Sequence, residues 1–263
     1  MRLRRVLTLT IIVLIFGIIV SYEIYNNREI YKIQSRIKNI EAANKDKDAK
    51  YETIGWIRVQ GTKLDIPILF SNNMDEEFPV EMENYFWSEN TDDKMHNNIM
   101  AVGHNIFNLS SKPKKHDEKF RRVEELMAFV YYDFAKENEY IQLTIDGKEY
   151  LYKIFAVSFV DVSTETFLPK QNEMTKEKFV DMKKILENNS IYKYDVDINE
   201  NDKFISLATC TRFFVDDFET TYYVHGRLLR KGEKPIRYEV KKSKKYKELE
   251  KVWEEYEDEE DSL

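Results

Sequence analysis

The chain has 263 residues, 42% of them hydrophobic and 14% aromatic, enough for one sizeable core of roughly 150 to 200 residues with appendages. A formal net charge of −7 with no domain-wide basic excess excludes the electrostatic footprint of a nucleic-acid binder. A single cysteine excludes an intramolecular disulfide and any Cys/His metal cluster built around that thiol.

From Val6 to Tyr22 the sequence carries no charge, and Arg2, Arg4 and Arg5 precede it. That length is at the short end for crossing a hydrocarbon core of about 30 Å. No small-x-small cleavage site follows in Tyr22-Glu23-Ile24-Tyr25, so an uncleaved signal anchor is expected rather than a removed signal peptide. The flanking arginines stay on the cytoplasmic side, which places everything after Tyr22 outside the cell in a single-pass arrangement. Residues 1–22 are therefore read as a cytoplasmic stub and membrane anchor. Residues 23–50, with Ile24, Ile30, Ile33, Ile37 and Ile40 at roughly helical spacing, are read as a juxtamembrane helix or stalk.

The folded domain is expected to span 51–231. Ile54 to Leu69 reads as two short strands around a Gly61-Thr62 turn, with Pro67 restricting the second strand to an edge or a bulge. Ser71 to Asn98 is irregular, with Phe78, Tyr85, Phe86 and Trp87 as buried points. Ile99 to Gly103 is an apolar strand leading into His104 and Asn105. Phe120, Val123, Leu126, Met127, Val130 and Phe134 predict an amphipathic helix over 116–138. Its basic start, Lys112 to Arg122, reads as a solvated face. Strands follow at Tyr140 to Ile145 and Lys148 to Val162, joined by the two-residue hairpin turn Asp146-Gly147. Met174 to Asn188 carries Phe179, Met182, Ile185 and Leu186 on one side, as a surface helix does.

Asp195-Val196-Asp197-Ile198-Asn199 opens like a calcium loop. Glu200 stands where the turn glycine belongs and Ser206 where the bidentate glutamate belongs, so no metal is expected. No phosphate-binding glycine loop or dinucleotide fingerprint occurs, and no cofactor is expected. Phe204 to Cys210 alternates like a strand and delivers the only thiol to its C-terminal end. A lone cysteine is more often a small buried hydrophobe than a nucleophile. Of the histidines, His96 and His116 lie in charged loops and read as solvated, and His225 lies inside the strand Tyr222 to Leu229 as a hydrogen-bonded core residue. A strand-end histidine such as His104 often only bonds a carbonyl. The segment 232–263 is a charged extension with a helical stripe of Tyr246, Leu249, Val252, Trp253 and Tyr256, read as a helix packed weakly on the domain or as a docking segment for a partner.

Three separate stretches resemble one family. Ser206-Leu207-Ala208-Thr209-Cys210 resembles the sortase signature Thr-Leu-x-Thr-Cys, with serine for the first threonine. Gly55-Trp56-Ile57, Gly61-Thr62 and the strand with Asp65 and Pro67 are similar to the first two strands of class B sortases. Gly103-His104-Asn105 is similar to the catalytic-histidine motif of that class. The resemblance covers about Tyr51 to Lys231 and implies a mostly β, α+β fold: an eight-stranded barrel with an N-terminal helix and two or more surface helices. It implies Cys210 as nucleophile and His104 as general acid/base, with Asn105, Thr209 and Thr221 as substrate-binding positions. It further implies a thioester intermediate, surface proteins bearing a C-terminal sorting signal as substrates, and a cell-wall or pilin amine as acceptor. Papain-like peptidases are less consistent, because they place the cysteine before the histidine. One departure stands out: aligning Val224-His225-Gly226-Arg227-Leu228 with the family pattern puts Thr221 where sortases carry an oxyanion-stabilising arginine. Arg212 is the substitute expected from the loop, and Arg227 a structural strand-end residue. A membrane-anchored, catalytically weak scaffold that binds a partner is the alternative.

Overall fold

The computed structural model describes residues 2–43, 45, 51–70, 85–88, 94–106, 108–109, 113, 122–161, 175–212 and 220–260. His116, Phe78, Val162 and nearly all of the basic stretch 112–122 lie outside them.

The strands are β1 Thr53–Val59, β2 Asp65–Phe70, β3 Phe86–Ser88, β4 Asn98–Gly103, β5 Tyr140–Ile145, β6 Lys148–Asp161, β7 Tyr192–Tyr194, β8 Phe204–Cys210, β9 Thr220–Leu228 and β10 Val240–Lys242. Eight of them close a barrel in the order β1-β2-β3-β4-β8-β9-β6-β5, the fold class expected, and β10 pairs with β7 in a separate two-stranded sheet. Within the barrel the β2–β3 and β4–β8 pairs are parallel. Pro67 sits opposite Trp56 on β1, and the pairing of β2 with the short β3 begins only at Ile68. The strand is thus an edge at the position where proline has no N–H to give. The β5–β6 turn has positive φ at both Asp146 (52°) and Gly147 (64°), the mirror-image turn that matches the twist of a hairpin.

Inward-facing residues build one apolar core that includes Ile57, Ile68, Ile99, Leu143, Ile154, Ile205, Leu207, Tyr222 and Val224. The stretch expected as an amphipathic surface helix is instead a 3-10 helix, Arg122–Val130, followed by α2, Tyr132–Glu137. Residues 123–130 are buried on every side. Val123 and Leu126, like Met127 and Val130, step by three, the period of a 3-10 helix. The glutamates that should have faced water accept from backbone instead: the Ile106 N–H donates to Glu124 Oε1 at 2.7 Å and the Lys63 N–H to Glu125 Oε2 at 2.6 Å. His96, expected in solvent, is buried at 7% exposure.

Helix α3, Lys176–Asn189, starts at Thr175, whose hydroxyl accepts from the Lys178 N–H and satisfies one orphan donor of the first turn. Its Phe179, Met182 and Leu186 cover Ala156 and Phe204 on the outer face of the sheet. The C-terminal segment is more than a weakly packed appendage. On α4, Lys244–Glu260, Tyr246 and Leu249 belong to the main core, and Trp253 stacks on Tyr131 at 5.7 Å.

The apolar run and the stalk form one helix, α1, Arg2–Ala43. Arg36 docks it to the barrel through Asp65 (3.2 Å) and Glu149 (3.2 Å). Ile11, Val13, Leu14, Ile15, Phe16 and Ile18 are all exposed. Among the described residues no helix is long and apolar enough to cross a membrane, so the anchor expected from Val6 to Tyr22 is not supported by the structure.

Candidate active site

Strand β8 runs between β4 and β9, and its two faces divide the work. Thr209 pairs with Tyr222, which points into the core, whereas Cys210 pairs with Thr221 on the outer face. The β4–β8 ladder is parallel, with Gly103 opposite Thr209, an offset of 209 − 103 = 106 residues. The paired register ends there; His104 is the residue that follows β4, and Cys210 is the last residue of β8. Cys210 and Thr221 therefore share one row of the β8–β9 pair, and His104 follows the end of the adjacent β4. Sequence places His104 and Cys210 a hundred residues apart; the parallel pairing brings the ends of β4 and β8 side by side.

The row is held rigidly. A Cβ at Gly103 would lie 2.5 Å from Val123 Cγ2 on the 3-10 helix, so glycine lets that helix press on the strand just before His104. The Asn105 amide donates to the Cys210 carbonyl at 3.0 Å and to the Asn108 carbonyl at 3.1 Å, and its oxygen accepts from the Asn108 N–H at 3.0 Å. The Thr209 hydroxyl donates to the Gly103 carbonyl at 2.8 Å, and the Arg212 N–H to the Leu109 carbonyl at 3.2 Å. The loop after the histidine is thus stitched to the loop after the cysteine. In this arrangement Asn105, 6% exposed, and Thr209, fully buried, have structural bonds rather than open faces. Arg212 is exposed.

Cys210 is half-buried, and burial pushes its thiol above the ordinary range. His225 is the neutral core residue expected. It is 1% exposed, each ring nitrogen lies 3.0 Å from a serine hydroxyl (Ser158 and Ser206), and desolvation lowers its pKa to about 3. Arg227 is fully buried in an ion pair with Glu233, away from the row, as its strand-end position implies. Asp197 and Asp202 of the acidic stretch pair with Arg230 at 2.5 and 2.8 Å. Sequence reasoning missed Glu124 and Asn108 as loop fasteners. Only the 3-10 helix brings them near, and the Asn105-x-x-Asn108 spacing was the available signal.

A family model described as "Sortase domain" matches residues 57–229. The chain belongs to the sortase family. Sortases are cysteine transpeptidases, and the row built by β4, β8 and β9 lies inside the matched region. Sortase B of Clostridium perfringens has the same fold, with a TM-score of 0.56 at 23% identity over 73% of this chain and 99% of that one. Staphylococcus aureus sortase B gives 0.57 at 16% identity over 78% and 93%, and the structure of sortase B complexed with triglycine gives 0.55 at 16% over 74% and 85%. At these identities the likeness is one of fold. No curated protein matches the chain.

Proposed function

We propose that this sortase is an extracytoplasmic transpeptidase that cleaves a C-terminal sorting signal of surface proteins and transfers the acyl product to an amine. The observation that carries the reading is the parallel pairing of β4 with β8 up to Gly103 and Thr209, the residues just before His104 and Cys210. A thiol with an ordinary pKa near 8.5 is only a few per cent thiolate at neutral pH, and burial of Cys210 lowers that fraction further. A neighbouring imidazole that takes the thiol proton corrects this deficit.

In the first half-reaction Cys210 Sγ attacks the carbonyl carbon of a Thr-Gly or Thr-Asn type amide, and the C–S bond forms as the C–N bond breaks. The departing amine takes the proton that His104 received from the thiol, and a thioester remains. In the second, an amine from a cell-wall precursor or a pilin lysine attacks the thioester and gives a proton to His104, and the Cys210 sulfur leaves. The sortase B structure complexed with triglycine supports a peptide amine as acceptor. Arg212, two residues past the nucleophile, supplies the positive charge that the family draws from an arginine. Thr221, Asn105 and Thr209 complete the site, the last two by holding the loops.

A single-pass anchor at residues 6–22 with the barrel outside the cell is part of the proposal and rests on the uncharged run behind Arg2, Arg4 and Arg5 in the sequence. Threonine rather than arginine opposite Cys210 favours a second reading, a weakly active anchored scaffold. Incubating the full chain with Thr-Gly and Thr-Asn peptides and triglycine separates the two. Transpeptidation that disappears in His104→Ala supports the enzyme, and binding without product supports the scaffold.

A further inference from the structure

Strand β7 uses only one of its two edges. The Ser243 N–H donates to the Ile191 carbonyl at 3.0 Å and the Asp195 N–H to the Glu239 carbonyl at 2.8 Å, with Lys193 opposite Lys241 between them. Bonded and non-bonded pairs alternate in an antiparallel ladder, so residues 191, 193 and 195 turn their backbone groups to β10 while Tyr192 and Tyr194 turn theirs away. The Tyr192 carbonyl accepts from the Ser190 hydroxyl at 2.8 Å. The Tyr194 N–H and carbonyl have no hydrogen-bond partner among the described residues. Strand β6 accompanies this edge only at its start, where the Ile191 N–H donates to the Val157 carbonyl at 2.8 Å. Farther along, a cavity of about 610 Å³ is lined by Phe155 and Ala156 of β6, Leu186 of α3, and Tyr194, Val196 and Ile198. That volume lies in the range of ligand sites. Four charged residues also line it, and two pairings account for three of them. Lys183 and Glu187 face each other at 3.9 Å, and Asp197 is held by Arg230. Lys193, exposed, has no ion pair among the described residues, so the charge left over is positive.

We propose that this open edge of β7 binds an extended peptide segment of a partner protein, one carrying apolar and acidic side chains, by adding it as a strand. A donor and an acceptor on one residue of a strand edge match what a peptide backbone presents, and main-chain pairing of that kind supplies affinity while the flanking pockets supply specificity. Short edge strands are ordinarily blunted against water; this one meets a cavity with an apolar floor. The peptide residue opposite Tyr194 would exchange both backbone bonds with it. Apolar side chains of the segment would cover Phe155, Leu186 and Ile198, and a carboxylate would pair with Lys193. The site is distinct from the thiol. Phe204 opens β8 and its ring meets Phe155 at 5.7 Å, whereas Cys210 closes that strand about 20 Å farther along. A partner held there leaves the Cys210 end of the barrel uncovered.

The test titrates the full chain in detergent with a fluorescein-labelled pentapeptide of alternating valine and glutamate, read by anisotropy. Saturable binding is expected. A lysine-for-glutamate counterpart, and the acidic peptide N-methylated at its central residue, should each bind about fivefold or more weakly, the first through charge and the second through a lost main-chain bond. Lys193→Glu should weaken the acidic peptide by a similar factor. Amide exchange over residues 192–196 should slow when the acidic peptide is bound. The site does not depend on the acyl-transfer reading, so protein alkylated at Cys210 with iodoacetamide should bind as wild type does, whether or not wild type turns over sorting-signal peptides. Absence of saturable binding, binding that either control peptide matches within twofold, or binding abolished by alkylation of Cys210 overturns the proposal. Unchanged exchange over 192–196 in the bound state overturns it too.

Discussion

Replacing Asn105 with alanine should disable catalysis while leaving substrate affinity nearly unchanged. The side chain makes three bonds of 3.0 to 3.1 Å, two donated to the carbonyls of Cys210 and Asn108 and one accepted from the Asn108 N–H. At 6% exposure water replaces them poorly, and each orphaned buried backbone group costs about 1 kcal/mol or more. Three such groups amount to about 3 kcal/mol, concentrated in the two loops that carry His104 and Cys210. A displacement of about 1 Å between reacting groups costs on the order of a hundredfold in rate. The expectation is therefore a kcat near one hundredth of wild type, a KM within about threefold, and a loss of about 3 kcal/mol in denaturant unfolding. Steady-state kinetics with a sorting-signal peptide, run beside urea unfolding of the same preparations, reads all of these. A raised KM with unchanged kcat and unchanged unfolding would refute the reasoning, because it would make Asn105 a substrate contact and not a loop fastener.

The remaining predictions concern charge and protonation. With the Cys210 thiol raised by burial, its iodoacetamide alkylation rate should still be climbing above pH about 8.5, the ordinary thiol value; a plateau near pH 7 would contradict this. His225 stays neutral in the fold down to about pH 3, whereas the unfolded chain binds that proton near its ordinary value of about 6.5. Its contribution to stability is therefore intact above pH about 6.5 and lost as pH falls towards 3, by up to about 5 kcal/mol. His225→Gln should flatten the acid side of the stability profile measured by urea unfolding, and an unchanged slope would count against the buried neutral imidazole. Arg212→Ala should lower the acylation rate by about a hundredfold with the fold intact, and Thr221→Arg in that background should recover part of it. Acylation unmoved by either change would show that the positive charge comes from elsewhere.

The elements that sequence pattern resolved are those whose pattern and packing agree. Phe204 to Cys210 is a strand over the residues expected, and Asp146-Gly147 is the hairpin turn that its composition demands, because both residues adopt positive φ. The helix at Lys176–Asn189 follows from its apolar stripe and threonine cap. The 3-10 helix was misread because hydrophobic spacing cannot reveal that Glu124 and Glu125 are buried against backbone donors of remote loops. His96 was misread for a related reason: a charged neighbourhood in sequence says little about burial. The motifs single out Cys210 and His104 separately, and the closeness of the strand ends that precede and hold them comes from the β4–β8 register, which local sequence does not encode. Tyr246 and Leu249 enter the core through a β7–β10 pairing that no local signal announces.

The central claim, that Cys210 acts as an acyl-transfer nucleophile beside His104, is tested most directly by trapping the intermediate. Full-length protein is mixed with a sorting-signal peptide, quenched in acid within seconds, digested and examined by mass spectrometry. The account predicts a hydroxylamine-labile acyl adduct on the peptide containing Cys210, absent in Cys210→Ala and strongly reduced in His104→Ala. Cleavage of the peptide that persists in Cys210→Ala, or a wild-type thiol that stays unmodified while product accumulates, would contradict it.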